Sequence, residues 1–164
     1  MKALLARRVI MMVHEGSEAP MMTVSGRVCR GSGRTSTYLS HSWVRRTFAC
    51  AFGFVPFPET FTVVLRDPLD GLGEAMGKAS KVLISADPGS DRYALLRAFL
   101  EKGACGTTAV LVRPLDDTEP PRQLEFAAPV NVRDALGVAD GDEVTVYLFT
   151  SLVPCQQVIA EHQA

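Results

Sequence analysis

The chain has 164 residues, 47% of them hydrophobic and 21% charged, with a formal net charge of −1. That length can bury one domain-sized core, and the near-neutral balance excludes a globally basic field of the kind that grips nucleic acid, so any anion site is a local patch. The four cysteines (Cys29, Cys50, Cys105 and Cys155) form no CxxC, and His14, His41 and His162 are equally dispersed; this spacing offers no zinc site. Unpaired thiols fit a cytoplasmic protein. Arg7 and Arg8 interrupt the N-terminal apolar run and no small-residue cleavage site follows, so no signal peptide is expected. No stretch has the length of a membrane span.

In chain order, "RRVIMMVH" is a short apolar run, a strand or an ordered part of an N-terminal extension over residues 1–20. "MMTVSGRVCR" alternates loosely and reads as a strand entering a Gly/Ser/Thr loop from Gly31 to Thr37. "SWVRRTFACAFG" predicts a helix capped by Ser42, with Val44, Phe48, Ala51 and Phe52 on one face and Gly53 past its end. The prolines of "FVPFPE" keep the next segment extended. "TFTVVL" alternates as a strand, with Phe61, Val63 and Leu65 on one face and Thr60, Thr62 and Val64 on the other. "RDPLDGLG" is a turn-rich connection and "KVLIS" another strand. A second helix is predicted from Ser90 to Gly103, with a stripe of Leu95, Leu96, Phe99 and Leu100. "TTAVLV", "LEFAAP" and "EVTVYLFTSL" read as strands, the last two flanking a short helix in "NVRDALG" and a tight turn at Asp140-Gly141.

This makes about six to eight short strands with two or three helices. The strands are too short and irregularly spaced for βαβ units. The expected fold is therefore mainly β with helical insertions (α+β), a compact barrel in a single domain over 1–164 with a helical insertion over residues 86–106.

Four segments could carry chemistry. The loop Gly31–Thr37 has glycines that let backbone approach an anion, N–H groups that can form a nest, and Arg34 as a charge-assisted fork; no GK[ST] follows, so it is not a Walker loop. A polar hairpin loop would look the same. Thr60 and Thr62 point to one side of their strand, where neutral oxygens can join phosphates around Mg²⁺, although paired threonines on a solvent face are common. Asn131 can cap the short helix, whose free N–H groups attract anions, and Arg133 beside them could fork a phosphate; the plain reading makes Val132, Leu136 and Val138 core. Glu125 could meet a ligand from its strand or simply face outward. No Ser-His-Asp or Cys-His spacing is present, so no catalytic nucleophile or base is assigned, and His41 reads as solvated.

In this order (strand, G-x-G loop, helix ending in "GF", "PETFT", then "APVNVRDALGVADGDEV") the segments resemble the CTP-dependent riboflavin kinases of archaea, which are small cradle-loop barrels. The resemblance rests on Gly26–Leu65 and Leu124–Leu148, somewhat under half the chain, and does not extend to the middle. It implies a six-stranded cradle-loop (RIFT-like) β-barrel that transfers the γ-phosphate of CTP to a small-molecule hydroxyl, with riboflavin to FMN as the named candidate and Mg²⁺ as cofactor. Gly31, Ser32, Gly33, Arg34, Thr35, Ser36 and Thr37 would hold the nucleotide phosphates. Val130, Asn131, Val132 and Arg133 would line the cytidine nucleotide site, Thr60 and Thr62 would hold the metal, and Glu125 with Thr118 would contact the acceptor. CTP or CDP and the acceptor are the expected partners, without nucleic acid or membrane.

The sequence departs from that family where Arg34 and Thr35 stand for the acid and third glycine of G-x-G-E-G, and where "TFT" stands for T-L-N. Three other readings stay open. One is a kinase of this fold with a non-flavin acceptor. Another is a barrel that binds nucleotide or flavin without catalysis. The third is an AbrB-like swapped-hairpin DNA-binding regulator, for which the C-terminal block is poor in basic residues.

Overall fold

The computed structural model describes residues 20–31, 33–78, 82–85, 92–115 and 119–149. Among the described residues, alternating and continuous apolar runs become seven strands: β1 (Met22–Cys29), β2 (Phe61–Leu65), β3 (Val82–Ser85), β4 (Arg92–Lys102), β5 (Cys105–Pro114), β6 (Gln123–Ala127) and β7 (Glu143–Leu148). Four helices accompany them among the same residues: α1 (Arg34–Leu39), α2 (Ser42–Phe52), α3 (Leu72–Lys78) and α4 (Val132–Leu136). Every strand pairing is antiparallel. Six strands close on themselves in the order β4-β5-β6-β2-β1-β7 and back to β4, and β3 adds a seventh beside β4. The result is the expected barrel-like, mainly β α+β fold.

Strand β4 holds the ring together. Its one edge pairs with β5 from Tyr93 to Lys102, and its other edge is shared, with β3 at Arg92–Leu95 and β7 at Ala98–Glu101. Alternate residues point to opposite faces of a strand. Ala94, Leu96, Ala98 and Leu100 enter the core inside the ring with Val63, Leu111, Phe126 and Val146, while Tyr93 and Leu95 enter a second core outside it.

This overturns the helix predicted over Ser90–Gly103, and with it the helical insertion over 86–106. A strand buried on both faces is apolar almost throughout, and Leu95, Leu96, Phe99 and Leu100 then fall by chance at helical spacing. Residues 86–91 lie outside the described residues.

The second core is made by α1 and α2 laid on the outer face of β4, β5 and β6, with Leu39, Val44, Phe48 and Phe52 against Leu95, Val110, Val112 and Ala127. Helix α2 follows its predicted stripe and ends at Gly53, whose φ of 78° is the left-handed conformation that glycine adopts without cost. Ser42 is its first residue rather than its cap; His41 occupies that position and makes no side-chain capping bond. Helix α1 arises in the segment read as a loop, so the presumed phosphate loop Gly31–Thr37 is short and its second half is a helical turn; α3 begins at the end of the turn-rich "RDPLDGLG" and continues through residues given no element from sequence.

Beyond α2, Phe57 N–H donates to the Ala128 carbonyl at 2.7 Å, which steers the proline-containing segment toward the start of β2. At the other side of β1, Val28 N–H donates to the Asp142 carbonyl and Gly141 N–H to the Val28 carbonyl, both at 2.8 Å, fastening the Asp140-Gly141 turn to the strand end. Among the described residues no helix is long and apolar enough to cross a membrane.

Candidate functional site

The registers place one row of residues across four strands: Cys29 opposite Thr62, Thr62 opposite Glu125, and Glu125 opposite Val112. Directly opposed residues share a face of the sheet. Val112 belongs to the outer core, so Cys29, Thr62 and Glu125 also face outward, next to α1. The candidate site is therefore a polar corner on the outside of the ring, where the helical layer gives way.

Gly31 closes over this row. A Cβ there would collide with Thr62 Oγ1 and reach Glu125 Oε1 at 3.4 Å. Only glycine permits so close an approach. Thr62 is 2% exposed, and its hydroxyl has no hydrogen-bond partner within the protein. A buried hydroxyl left so costs about 1–3 kcal/mol, which a ligand oxygen or cation could recover.

The first turn of α1 then reaches two strands at once. Thr35, buried, donates its hydroxyl to Glu125 Oε2. Ser36 Oγ accepts from Thr60 N–H at 3.1 Å and lies 3.3 Å from Thr60 Oγ1. Thr37, by contrast, is exposed and bonds only to its own turn, at the Gly33 carbonyl. Arg34 opens the helix, and Ser32 lies outside the described residues.

Helix α4 flanks the same end of β1. Asn131 caps it as expected, accepting from Asp134 N–H at 3.3 Å. Val132 turns into the inner core, which leaves its backbone alone to face a ligand, while Val130 is exposed. Arg133 donates to the Cys29 carbonyl at 3.3 Å and forms an ion pair with Asp140 at 2.5 Å. A guanidinium so held is aimed by the DGD turn. Burial pushes the Cys29 thiol above its ordinary value; the Asp140 and Glu125 carboxylates add to this, against the charge of Arg133.

The structure thus brings Gly31, Thr35, Ser36, Thr60, Thr62 and Glu125 together, with Arg133 at their edge. Glu125, read from sequence as a separate acceptor contact, shares one corner with the threonines. Thr118 lies outside the described residues. Sequence reasoning missed Cys29 and Asp140; the adjacency of "DGD" to a predicted turn was the only available signal for the second.

Apart from the Cys29 thiol, the donors in this corner are oxygens, which suit a hard cation such as Mg²⁺ better than a soft one. Among the described residues no group of three His, Cys, Asp or Glu could form a cage for a metal. That is compatible with an ion carried chiefly by phosphates and water, needing few protein ligands.

A glycine approach, hydroxyls and one carboxylate therefore meet on the outside of an antiparallel ring, a polar corner on a small barrel-like domain. The family model of the CTP-dependent riboflavin kinase domain, described as "Domain of unknown function DUF120", matches residues 28–148. The chain belongs to that family. It is 35% identical over 130 residues to a riboflavin kinase of Ignicoccus hospitalis, covering 78% of this chain and 72% of that protein. It is 32% identical over 144 residues to a riboflavin kinase of Methanocella arvoryzae (83% and 60%), and 29% identical over 125 residues to that of Methanobrevibacter smithii (76% and 98%). The chain thus spans less than two thirds of the Methanocella protein. The match runs through the middle of the chain, which the sequence blocks alone left unassigned, and does not favour the swapped-hairpin regulator.

Proposed function

We propose that the protein transfers the γ-phosphate of CTP to a ribityl hydroxyl of riboflavin, giving CDP and FMN. The acceptor oxygen forms the new bond to the γ-phosphorus as the bond to the β-bridging oxygen breaks, and CDP leaves with that electron pair. The hydroxyl proton passes to solvent; phosphoryl transfer asks mainly for positioning and charge neutralisation. The observation that carries this reading is the meeting of Gly31, Thr35 and Ser36 with Thr60, Thr62 and Glu125 across chain separations no local motif could impose.

Within it, the backbone from Gly31 to Thr37 would hold the phosphates; the side chain of Arg34, assigned to them from sequence, lies outside what the structure describes. Val130–Arg133 flank the cytidine nucleotide, with Arg133 held by Asp140. Glu125 and Thr118 meet the acceptor. Mg²⁺ fits the oxygen donors and the unpartnered Thr62 hydroxyl. Thr60 and Thr62 would hold it, and when bound it would neutralise charge on the phosphates.

Incubation with CTP, Mg²⁺ and riboflavin, followed by chromatography with flavin fluorescence, should yield FMN, and ATP should serve less well. Nucleotide binding without FMN would point to another acceptor. Thr60→Ala should lower turnover more than Thr62→Ala, in the range of roughly 10- to 100-fold typical of lost ligand support; equal activity in all three proteins would remove both threonines from the mechanism.

A further inference from the structure

Glu125 is half-buried on a short strand and has two carboxylate oxygens with different surroundings. Oε2 takes the Thr35 hydroxyl. Oε1 faces the Gly31 corner, beside Thr62. The terminal torsion of a glutamate is broad, so nothing in the side chain itself selects this orientation. Thr35 does, and it comes from the segment assigned to the nucleotide phosphates, 90 residues earlier in the chain.

Thr35 is itself firmly placed. It is 5% exposed, and its helix is tied down on both sides. Ser36, the next residue, bonds to Thr60 N–H, and Leu39 is buried in the outer core. A hydroxyl fixed in this way delivers its hydrogen bond in one direction, and bonds to an ionised carboxylate are the stronger kind.

We propose that Thr35 is a positioning residue: it presents Glu125 Oε1 to the acceptor and so couples acceptor binding to the nucleotide segment. This rests on the functional reading above. Nucleotide held on the Gly31–Thr37 segment would steady α1, and through one hydrogen bond the orientation of Glu125. Ser36, on the same turn, makes the matching contact to Thr60, so a single turn aligns both halves of the corner.

The test compares wild type, Thr35→Val and Thr35→Ser in steady-state kinetics and in riboflavin titrations by flavin fluorescence, with and without CDP and Mg²⁺. Thr35→Val keeps the shape and removes the donor. It should raise the riboflavin KM about tenfold while moving the CTP KM by less than about threefold, as expected for loss of one charge-assisted bond. It should also abolish the effect of CDP on riboflavin affinity, and Thr35→Ser should restore both. A Thr35→Val protein with wild-type riboflavin KM and coupling overturns the inference. So does one in which both KM values rise together with a lowered Tm, because that marks a merely structural role. FMN formation by wild type alongside an unaltered Thr35→Val overturns the inference alone, whereas a wild type that makes no FMN overturns the functional reading and the inference with it.

Discussion

The polar row Cys29–Thr62–Glu125 and the strand β4 belong to one sheet and work by opposite means. The row carries polar side chains on its outer face, covered by a loop and a turn, and it leaves one buried hydroxyl without a partner. Strand β4 is buried from Tyr93 to Leu100 and supplies apolar groups to both cores. A ligand corner can hold an unsatisfied group only because another part of the fold contributes a surplus of stability. The two regions should therefore respond differently to substitution.

The largest effect is expected in β4. Leu96 is fully buried inside the ring, and Leu96→Ala should destabilise the protein by about 2–5 kcal/mol in urea unfolding. The nucleotide KM of the folded fraction should stay near wild type; a large change would erase the contrast between the regions. In the polar row the sign should reverse. Thr62→Val replaces an unpartnered hydroxyl by a methyl of similar shape and should stabilise the ligand-free protein by about 1–3 kcal/mol while weakening Mg²⁺–nucleotide binding. A loss of stability would mean that the hydroxyl is satisfied in solution.

The smallest effect concerns thiols. Cys29 ends β1 in the row and its pKa is raised, whereas Cys50 is exposed on α2. Alkylation of Cys50 should be faster at neutral pH. The pH midpoint of Cys29 reactivity should lie above that of an ordinary thiol, because burial and the nearby carboxylates disfavour the thiolate. The sign for stability follows: as pH rises past the ordinary thiol value the unfolded chain ionises first, so the Cys29 contribution favours unfolding there and is absent below it. Equal rates for Cys29 and Cys50 would show that α4 and its turn do not shield the row.

The same contrast explains what could be read from sequence. Helix α2 was legible because it has one apolar stripe, and the alternation in "TFTVVL" put Thr60 and Thr62 together on the face opposite Phe61, Val63 and Leu65. Strand β4 was not, since a segment apolar on both faces satisfies the helical and the strand period together. Six-residue α1 has too few positions to declare a period. In the corner, the order of motifs suggested that Gly31, Thr60, Thr62 and Arg133 share a role. The bonds that join them left no local trace: Thr35 to Glu125, Ser36 to Thr60, and the approach of Gly31 to Thr62 are products of register and tertiary packing.

The double pairing of β7 bears on how this molecule is made. Met22 meets Leu148, and Leu100 meets Val146, so both seams of the ring are closed by residues that leave the ribosome late. Before Glu143–Leu148 emerge, β1 and the second half of β4 are unpaired on one edge. Such edges are templates for pairing with other chains. Contacts this distant in sequence also carry a large loop-closure cost and form slowly. Until β7 has followed β1 and β4 out of the ribosome, those two edges would be open to pairing with neighbouring nascent chains.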